Sequence, residues 1–290
     1  MNYQNMMTDP KRFSKSQIPF FAILIPLALF FVLPIIFIFS TAFKPYNELF
    51  AFPPRFMVRR PTLDNFRSIG YVIESGGIPL SRYILNNITS TLLAVVIAVA
   101  ISLPGAYVLA KKNFKGKRAL FTINTLALMF VPASVTIPRY LIIQGMNLID
   151  TFAVLFLPLV AMPVCLFLLK QFIEQIPDSL IESAQIDGAK DALILRRIVS
   201  PLVRPATATV AILAFQGAWN AVEPSNIYIN MEANRTFSFY LSALVANVGN
   251  SVAGAGIIAA ASLMLFVPNL IIFIFMQGQV LNTMSHSGLK

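Results

Sequence analysis

The sequence predicts an all-α membrane protein with six transmembrane helices, and three observations predict it. Of its 290 residues 57% are hydrophobic and only 12% charged, and the mean hydropathy is +0.74. Long apolar runs recur along the whole chain, and basic residues cluster in the connections between them. A soluble domain of this length needs far more charge to cover its surface. The net charge of +10 comes without an aromatic-interleaved basic face. Membrane topology and lipid therefore account for it, and no nucleic-acid partner is expected.

A span needs about 20 mainly apolar residues, and six stretches qualify: 18–42, 84–110, 119–141, 152–170, 206–222 and 255–277. The first follows Lys11, Arg12 and Lys15 and runs to about Phe43. That is too long for the apolar core of a signal peptide, so it reads as a retained span. The third contains Pro132 and Pro138, the fourth Pro158 and Pro163, and the fifth is short. Broken or short helices persist in a membrane only where protein or water satisfies the freed backbone, so these spans face the interior. Gly256 and Ala260, in the sixth, are spaced for close helix contact. Residues 1–17 form the N-terminal segment, 18–277 the membrane domain and 278–290 the C-terminal tail, whose HSGLK end reads as disordered by composition.

Lysine and arginine set the orientation. The 111–118 connection, KKNFKGKR, holds five cations and no acid. With the basic N-terminus and Lys190, Arg196, Arg197 and Arg204, it places both termini and the 171–205 connection in the cytoplasm. Segment 43–83 is basic too, but it also carries Glu48, Asp64 and Glu74 and is long enough to obey the rule weakly. Its prolines predict an irregular outer cap with a short interfacial helix, and Asn65 within it reads as exposed.

The chain carries no evident power source. The spans are almost free of ionisable groups, whereas ion-driven transporters keep acids or histidines in the membrane. Arg139 and Glu223 fall near span ends. The nearest approach to a phosphate-binding G-x-x-x-x-G-K-[S/T] loop is Gly249 to Gly254, followed by Ala255 and Gly256, and the lysine is missing. A single cysteine, Cys165, sits in an apolar run and reads as a small buried hydrophobe. His286 alone excludes histidine-rich metal chemistry. No catalytic residue, metal or bound cofactor is expected.

The polar stretch ESAQIDGAKDALILRRIVSPLVRP, residues 182–205, reads as two short helices meeting at a bend. Asp178 fits an N-cap, with Glu182 in the first turns. Gly188 can take the positive φ that ends a helix. Ala192, Leu195, Ile198, Val199 and Leu202 then share one face, with Lys190, Arg196 and Arg197 largely off it. Pro201 and Pro205 lead into span five. By these features alone the element is either an interfacial hairpin linking spans four and five or a docking surface.

The same stretch resembles the EAA loop of ABC-importer permeases, roughly E-A-A-x-x-D-G-A, nine residues, then I-x-x-P-L. Glu182, Ala184, Asp187, Gly188, Ala189, Ile198, Pro201 and Leu202 match, while Ser183 and Ser200 depart mildly. FKPYNELFAFPPRF with PTLDNF, NNITSTLLAVVIAVAISLPGAYVLAKKNFKGKRALF and FQGAWN extend the resemblance to the six-span subunit of maltose-type sugar importers. It implies an ABC importer type I permease paired with a second homologous permease in the bacterial cytoplasmic membrane. Two cytoplasmic ABC ATPases using ATP-Mg, an external solute-binding protein and a carbohydrate substrate are implied with it. The EAA loop would be the coupling helix, with Glu182, Ala184, Asp187, Gly188, Ala189, Arg196, Arg197 and Pro201 in ATPase coupling. The HSGLK tail would also reach the ATPases.

Two other classes compete. A lipid-linked transferase needs acids or histidines at the bilayer surface, and Glu182, Asp187 and Asp191 are the only such cluster on that side. A passive channel or scaffold would need no ATPase. For the substrate path the candidates are Asn124, Gln216, Trp219, Asn220, Glu223 and Asn247. Asn124, Gln216, Asn220 and Asn247 each serve equally well as helix–helix hydrogen bonders. At Trp219–Glu223 relatives often carry an acid and an aromatic after Trp-Asn, where this chain has Ala221-Val222-Glu223-Pro224. A sugar-binding turn and an interfacial tryptophan with a solvated Glu223 both remain open there.

Overall fold

The computed structural model describes residues 17–74, 77–248, 252 and 254–287, and the elements described there are helical. Lys11, Arg12, Lys15 and residues 249–251, 253 and 288–290 lie outside the described residues. The chain divides into two compact units, residues 1–69 with 248–263, and residues 70–247 with 264–290.

The first unit is built on α1 (Ile18–Ala42), whose side chains are exposed except at Ser40, Thr41 and Ala42. Its end holds the cap. The Ser40 hydroxyl donates to the Phe56 carbonyl at 2.9 Å and accepts the Val58 amide at 2.8 Å. The Lys44 ammonium, buried, donates to the Arg55 carbonyl at 2.6 Å. α2 (Tyr46–Leu49) supplies Glu48, which accepts the Arg59 and Arg60 amides at 3.0 and 2.9 Å. These two bonds hold its carboxyl below the usual range.

The cap is therefore a tied loop followed by a regular helix, α3 (Asp64–Glu74). Asn65 is not exposed. Its amide donates to the Ala42 and Lys44 carbonyls, both at 2.9 Å, satisfying groups that the end of α1 leaves open. A Cβ at Gly256 would lie 2.5 Å from the Asn65 side chain, so only glycine allows this approach. Ala260 is fully buried, as its spacing predicts.

The second unit is organised around α4 (Leu80–Lys111). Asn87, Thr91, Ala94, Ala98, Ser102 and Ala106 recur every three or four residues along it and are buried. This small face lets neighbouring helices come close. Span three is split into α5 (Lys117–Ala127) and α6 (Pro132–Gly145), because Pro132 starts a new helix after an extended Val131. Span four is a 3₁₀ turn (Phe152–Leu155), α7 (Leu157–Val160) and α8 (Pro163–Glu174), bent by 43°. Asn124 donates to the Pro163 carbonyl at 3.2 Å beside that break.

α9 (Asp178–Ile186), α10 (Asp191–Ile194), a π-helical turn (Leu195–Val199) and α11 (Ser200–Leu202) form the 171–205 connection. α12 (Arg204–Trp219) leaves it at 84°. α13 (Glu223–Tyr228) begins at Val222-Glu223-Pro224, so the fifth span ends three residues earlier than its apolar run suggests. α14 (Phe237–Val248) and α15 (Ala255–Ser287) complete the chain. Of the HSGLK end, which composition reads as disordered, His286 and Ser287 are helical as part of α15, and residues 288–290 lie outside the described residues. Among the described residues α1, α4 and Ala255–Gly278 are long and apolar enough to cross a membrane, and two bent pairs raise the number to five. The α5–α6 stretch supplies the remaining candidate as two helices, neither long enough alone.

The core of this unit joins α4, α8, the loop and α12. Cys165, Leu169, Ile173, Ile194, Val199 and Val210 are fully buried in it, so the cysteine is the packed hydrophobe that its context predicts.

Candidate functional site

The bend at Gly188 is a complete helix-ending motif. Gly188 has φ +81, its amide donates to the Gln185 carbonyl at 3.0 Å, and the Ala189 amide reaches back to Ala184 at 2.9 Å. This crossed pair of bonds is the Schellman arrangement, which satisfies carbonyls that a helix end leaves open. Ala184 and Ala189 sit half-buried against the core, where a small apolar contact normally accompanies that motif. Glu182, Asp187 and Gly188 are exposed, as are Arg196, Arg197 and Pro201.

Two sequence expectations are corrected. Asp178 is the first residue of α9, and Pro177 occupies the cap position without a side-chain cap bond. The Asp178 carboxylate pairs with Lys111 instead. The apolar stripe after the bend is also shifted. Ala192 is exposed and Leu202 is 53% exposed, while Ile194, Val199 and Val203 are buried, with Leu195 and Ile198 half-buried. The π turn, in which the Ser200 amide bonds Leu195, inserts a wider step and rotates the following residues out of the 3.6-residue register. The stripe faces the protein core rather than a membrane surface. What remains outward is apolar as well, with Ile186 86%, Leu180 46% and Leu193 40% exposed.

The end of α4 pins both arms of the loop. Lys111, its side chain only 6% exposed, donates to the Ile176 carbonyl at 2.5 Å and to Asp178 Oδ1 at 2.7 Å. Lys112 meets Asp191 Oδ1 at 2.5 Å, and the Tyr107 hydroxyl donates to the same oxygen at 3.2 Å. The hydrogen bond to Lys112 holds the Asp191 carboxyl below its usual range, and the same bond holds Lys112 above its own. Sequence reading took Lys111 and Lys112 only as orientation markers. Their partners Ile176, Asp178 and Asp191 lie 65, 67 and 79 positions away, and no local spacing carries that signal.

The Trp219–Glu223 turn is built differently from either expectation. Trp219 is buried, its indole N–H donates to the Leu265 carbonyl at 3.1 Å, and its ring stacks on Phe215 with centroids 5.8 Å apart. Its own carbonyl accepts from Ser238 and from Asn87. It is neither an open sugar platform nor an interfacial belt residue. Glu223 is not a free solvated cap: its Oε1 lies 3.3 Å from Arg139 and 3.4 Å from the Thr136 hydroxyl. Asn220 is exposed, donates to the Gln216 carbonyl at 2.9 Å and accepts from Asn269 at 3.3 Å. Gln216 is exposed one turn earlier. Asn269, which the sequence reading did not single out, thus joins Gln216 and Asn220 in one polar group. Asn124 is committed to Pro163, and Asn247 stands exposed on α14.

The described residues form a helical unit with a shaped, pinned loop between two bent helix pairs. The comparisons identify which kind. The model of the family "Binding-protein-dependent transport system inner membrane component" matches residues 102–280, and the chain belongs to that family. It is therefore an inner-membrane transport subunit and not an enzyme, which removes the transferase alternative. The chain is 30% identical to Protein LplC of Bacillus subtilis over 85% of each chain. It is 27% identical to the diacetylchitobiose uptake system permease protein DasC of Streptomyces coelicolor, over 89% of this chain and 92% of that protein. With the arabinooligosaccharides transport system permease protein AraQ of Bacillus subtilis it shares 27% over 98% of this chain and 100% of the other. Its fold is that of a chain in the crystal structure of a bacterial ABC transporter involved in the import of the acidic polysaccharide alginate. That match has a TM-score of 0.76 at 22% identity, covering 92% of this chain and 98% of the other.

Proposed function

We propose that this chain is one permease of an ATP-driven ABC importer that moves a mono- or oligosaccharide inward by alternating access. It lies N-in and C-in in the bacterial cytoplasmic membrane. A second, homologous permease completes the pore, two ATPase subunits hold ATP-Mg on the cytoplasmic side, and an external binding protein delivers the sugar. The observation that carries this reading is the loop. A Schellman bend at Gly188 presents Glu182, Asp187 and Ile186 outward, while Lys111 and Lys112 fix both arms to α4. The shape suits a groove on a partner, with Ala184 and Ala189 maintaining the bend and Arg196, Arg197 and Pro201 shaping the arm that leads to α12. The orientation rests on the acid-free KKNFKGKR connection next to that loop. The carbohydrate class rests on the names of the relatives, with Gln216 and Asn220 as the candidate polar wall of the path.

The decisive measurement is uptake of labelled oligosaccharides into proteoliposomes holding both permeases and the ATPases, with binding protein added outside. Uptake should require ATP inside and binding protein outside. Uptake that needs neither would make the chain a passive channel.

A further inference from the structure

Beside the 111–118 loop the surface has a charged mouth and an apolar trough. A hollow of about 940 Å³ lies where α4, α5 and α8 approach the loop, lined by Lys117, Arg118 and Lys170 together with Leu109, Phe114 and Phe121. A second hollow, of about 460 Å³, shares Leu109 and Phe114 with it. It continues along α4 past Val108 to Pro104, with Leu120 and Leu166 as further walls. From Lys111 to Pro104 the helix climbs about 10 Å, so the trough leads from the charged loop into the depth of the spans.

The three cations are not equivalent. Lys170 is paired with Glu174 at 2.7 Å and lies 3.9 Å from the centre of the Phe121 ring, so its charge is largely spent. Lys117 donates to the Ala110 carbonyl at 3.2 Å, a neutral partner. Arg118 is exposed. The loop supplies no acid to neutralise them. A basic mouth continuous with an apolar trough at a membrane boundary is complementary to an amphiphile with an anionic head. A protein partner could offer carboxylates to the mouth, but the trough beside it is lined by the apolar Pro104, Val108, Leu109, Phe114, Leu120 and Leu166, which suits an acyl chain.

We propose that this is a site for an anionic phospholipid of the inner leaflet, with its phosphodiester between Lys117 and Arg118 and one acyl chain along Leu109, Phe114 and Leu120. The leaflet rests on the N-in orientation proposed above. The test uses the assembled importer in vesicles that carry photoactivatable phosphatidylglycerol or phosphatidylcholine in one leaflet at a time, with the labelled peptides mapped. Inner-leaflet phosphatidylglycerol should label residues 104–123 at least about fivefold more than phosphatidylcholine, from the contribution of each nearby basic residue. Arg118→Gln should lower that labelling about fivefold, and Arg118→Lys should retain it. Equal labelling by the two lipids overturns the proposal, as does labelling unchanged in both Arg118→Gln and Lys117→Gln. No labelling from either leaflet of an active importer also overturns it, because another subunit then covers the site. Selective labelling of the same residues from the opposite leaflet keeps the site and overturns the orientation instead.

Discussion

Replacing Gly188 tests whether the loop works through its backbone bend. At φ +81 an L side chain is strained whatever the space around it, and beyond the adjoining backbone nothing crowds the place where a Cβ would stand. The cost of alanine there is therefore conformational, about 1–2 kcal/mol. The two bonds that close the bend, Gly188 to Gln185 and Ala189 to Ala184, contribute about 0.5–1.5 kcal/mol each. The penalty is as large as what holds the bend, so the end of α9 should fray. At about 1.4 kcal/mol per factor of ten, the bent form falls about 5- to 30-fold in population, and docking affinity falls with it. Valine, β-branched at a positive φ, should be worse, and asparagine, which tolerates this region, milder.

The assay is binding-protein-stimulated ATP hydrolysis by the reconstituted importer, with membrane insertion of each variant checked separately. The expected order of coupling is Gly, then Asn, then Ala, then Val, with insertion unchanged throughout. Full stimulation in Gly188→Val would refute the role of the bend. Equal loss in Asn, Ala and Val would refute the backbone argument in a different way, since a partner surface packed on the glycine rejects any side chain.

Asp191→Asn should weaken coupling about two- to fivefold, because an exposed pair contributes at most about 1 kcal/mol. Charge reversal at both Lys112 and Asp191 should restore part of it, measured by the same hydrolysis assay. The carboxyl is held low, so its contribution is present above the unfolded value of about 3.9 and is lost as pH falls through the folded one. Lys112 is held high, so its contribution is complete below about 10.4 and is lost only above that. This pair should therefore leave coupling flat between about pH 5 and 9, and a step inside that window would show that the pair is not formed. A cysteine replacing Phe52, which is 96% exposed in the cap, should react with an impermeant thiol reagent on intact cells, and one replacing Asn113 should not. Labelling at position 113 overturns the orientation. Trp219→Ala should lower the thermal stability of the complex by the cost of a buried aromatic, about 3–5 kcal/mol, with hydrolysis and transport lost together. Asn220→Ala should lower sugar transport far more than basal hydrolysis, and equal loss of both would make the Asn220 group structural.

What the sequence conveyed was what local chemistry encodes. Apolar runs marked the helices, prolines marked the breaks at 132 and 163, and Asp187-Gly188 marked the bend, since each acts on its own backbone. The misreadings came from residues whose partners are remote. Asn65 looked like a polar loop residue and instead closes the end of α1 through Ala42 and Lys44. Trp219 looked like a surface aromatic because its run ends there, but its indole is committed to Leu265, 46 positions away. The π turn failed for a different reason: periodicity assumes 3.6 residues per turn, and one wider step re-aims all that follows.

α4 makes remote contacts at both of its ends, and that bears on how the molecule transmits motion. α4 holds both arms of the loop at one end through Lys111 and Lys112. Toward its other end Asn87 donates to the Trp219 carbonyl at the close of α12. α8 and α12, the helices that enter and leave the loop, contribute Leu169, Ile173, Ala206 and Val210 to the same buried core as α4's Ala106 and Tyr107. A packed interior of this kind has discrete arrangements and does not deform continuously. A push on the loop can thus be absorbed by bending at Gly188 or passed on as movement of the three helices together. The lysine pins oppose the first outcome by tying residues on both sides of the bend to one rigid rod. The small-residue face of α4 favours the second, because helices that meet across alanine and serine can slide without unlocking large side chains.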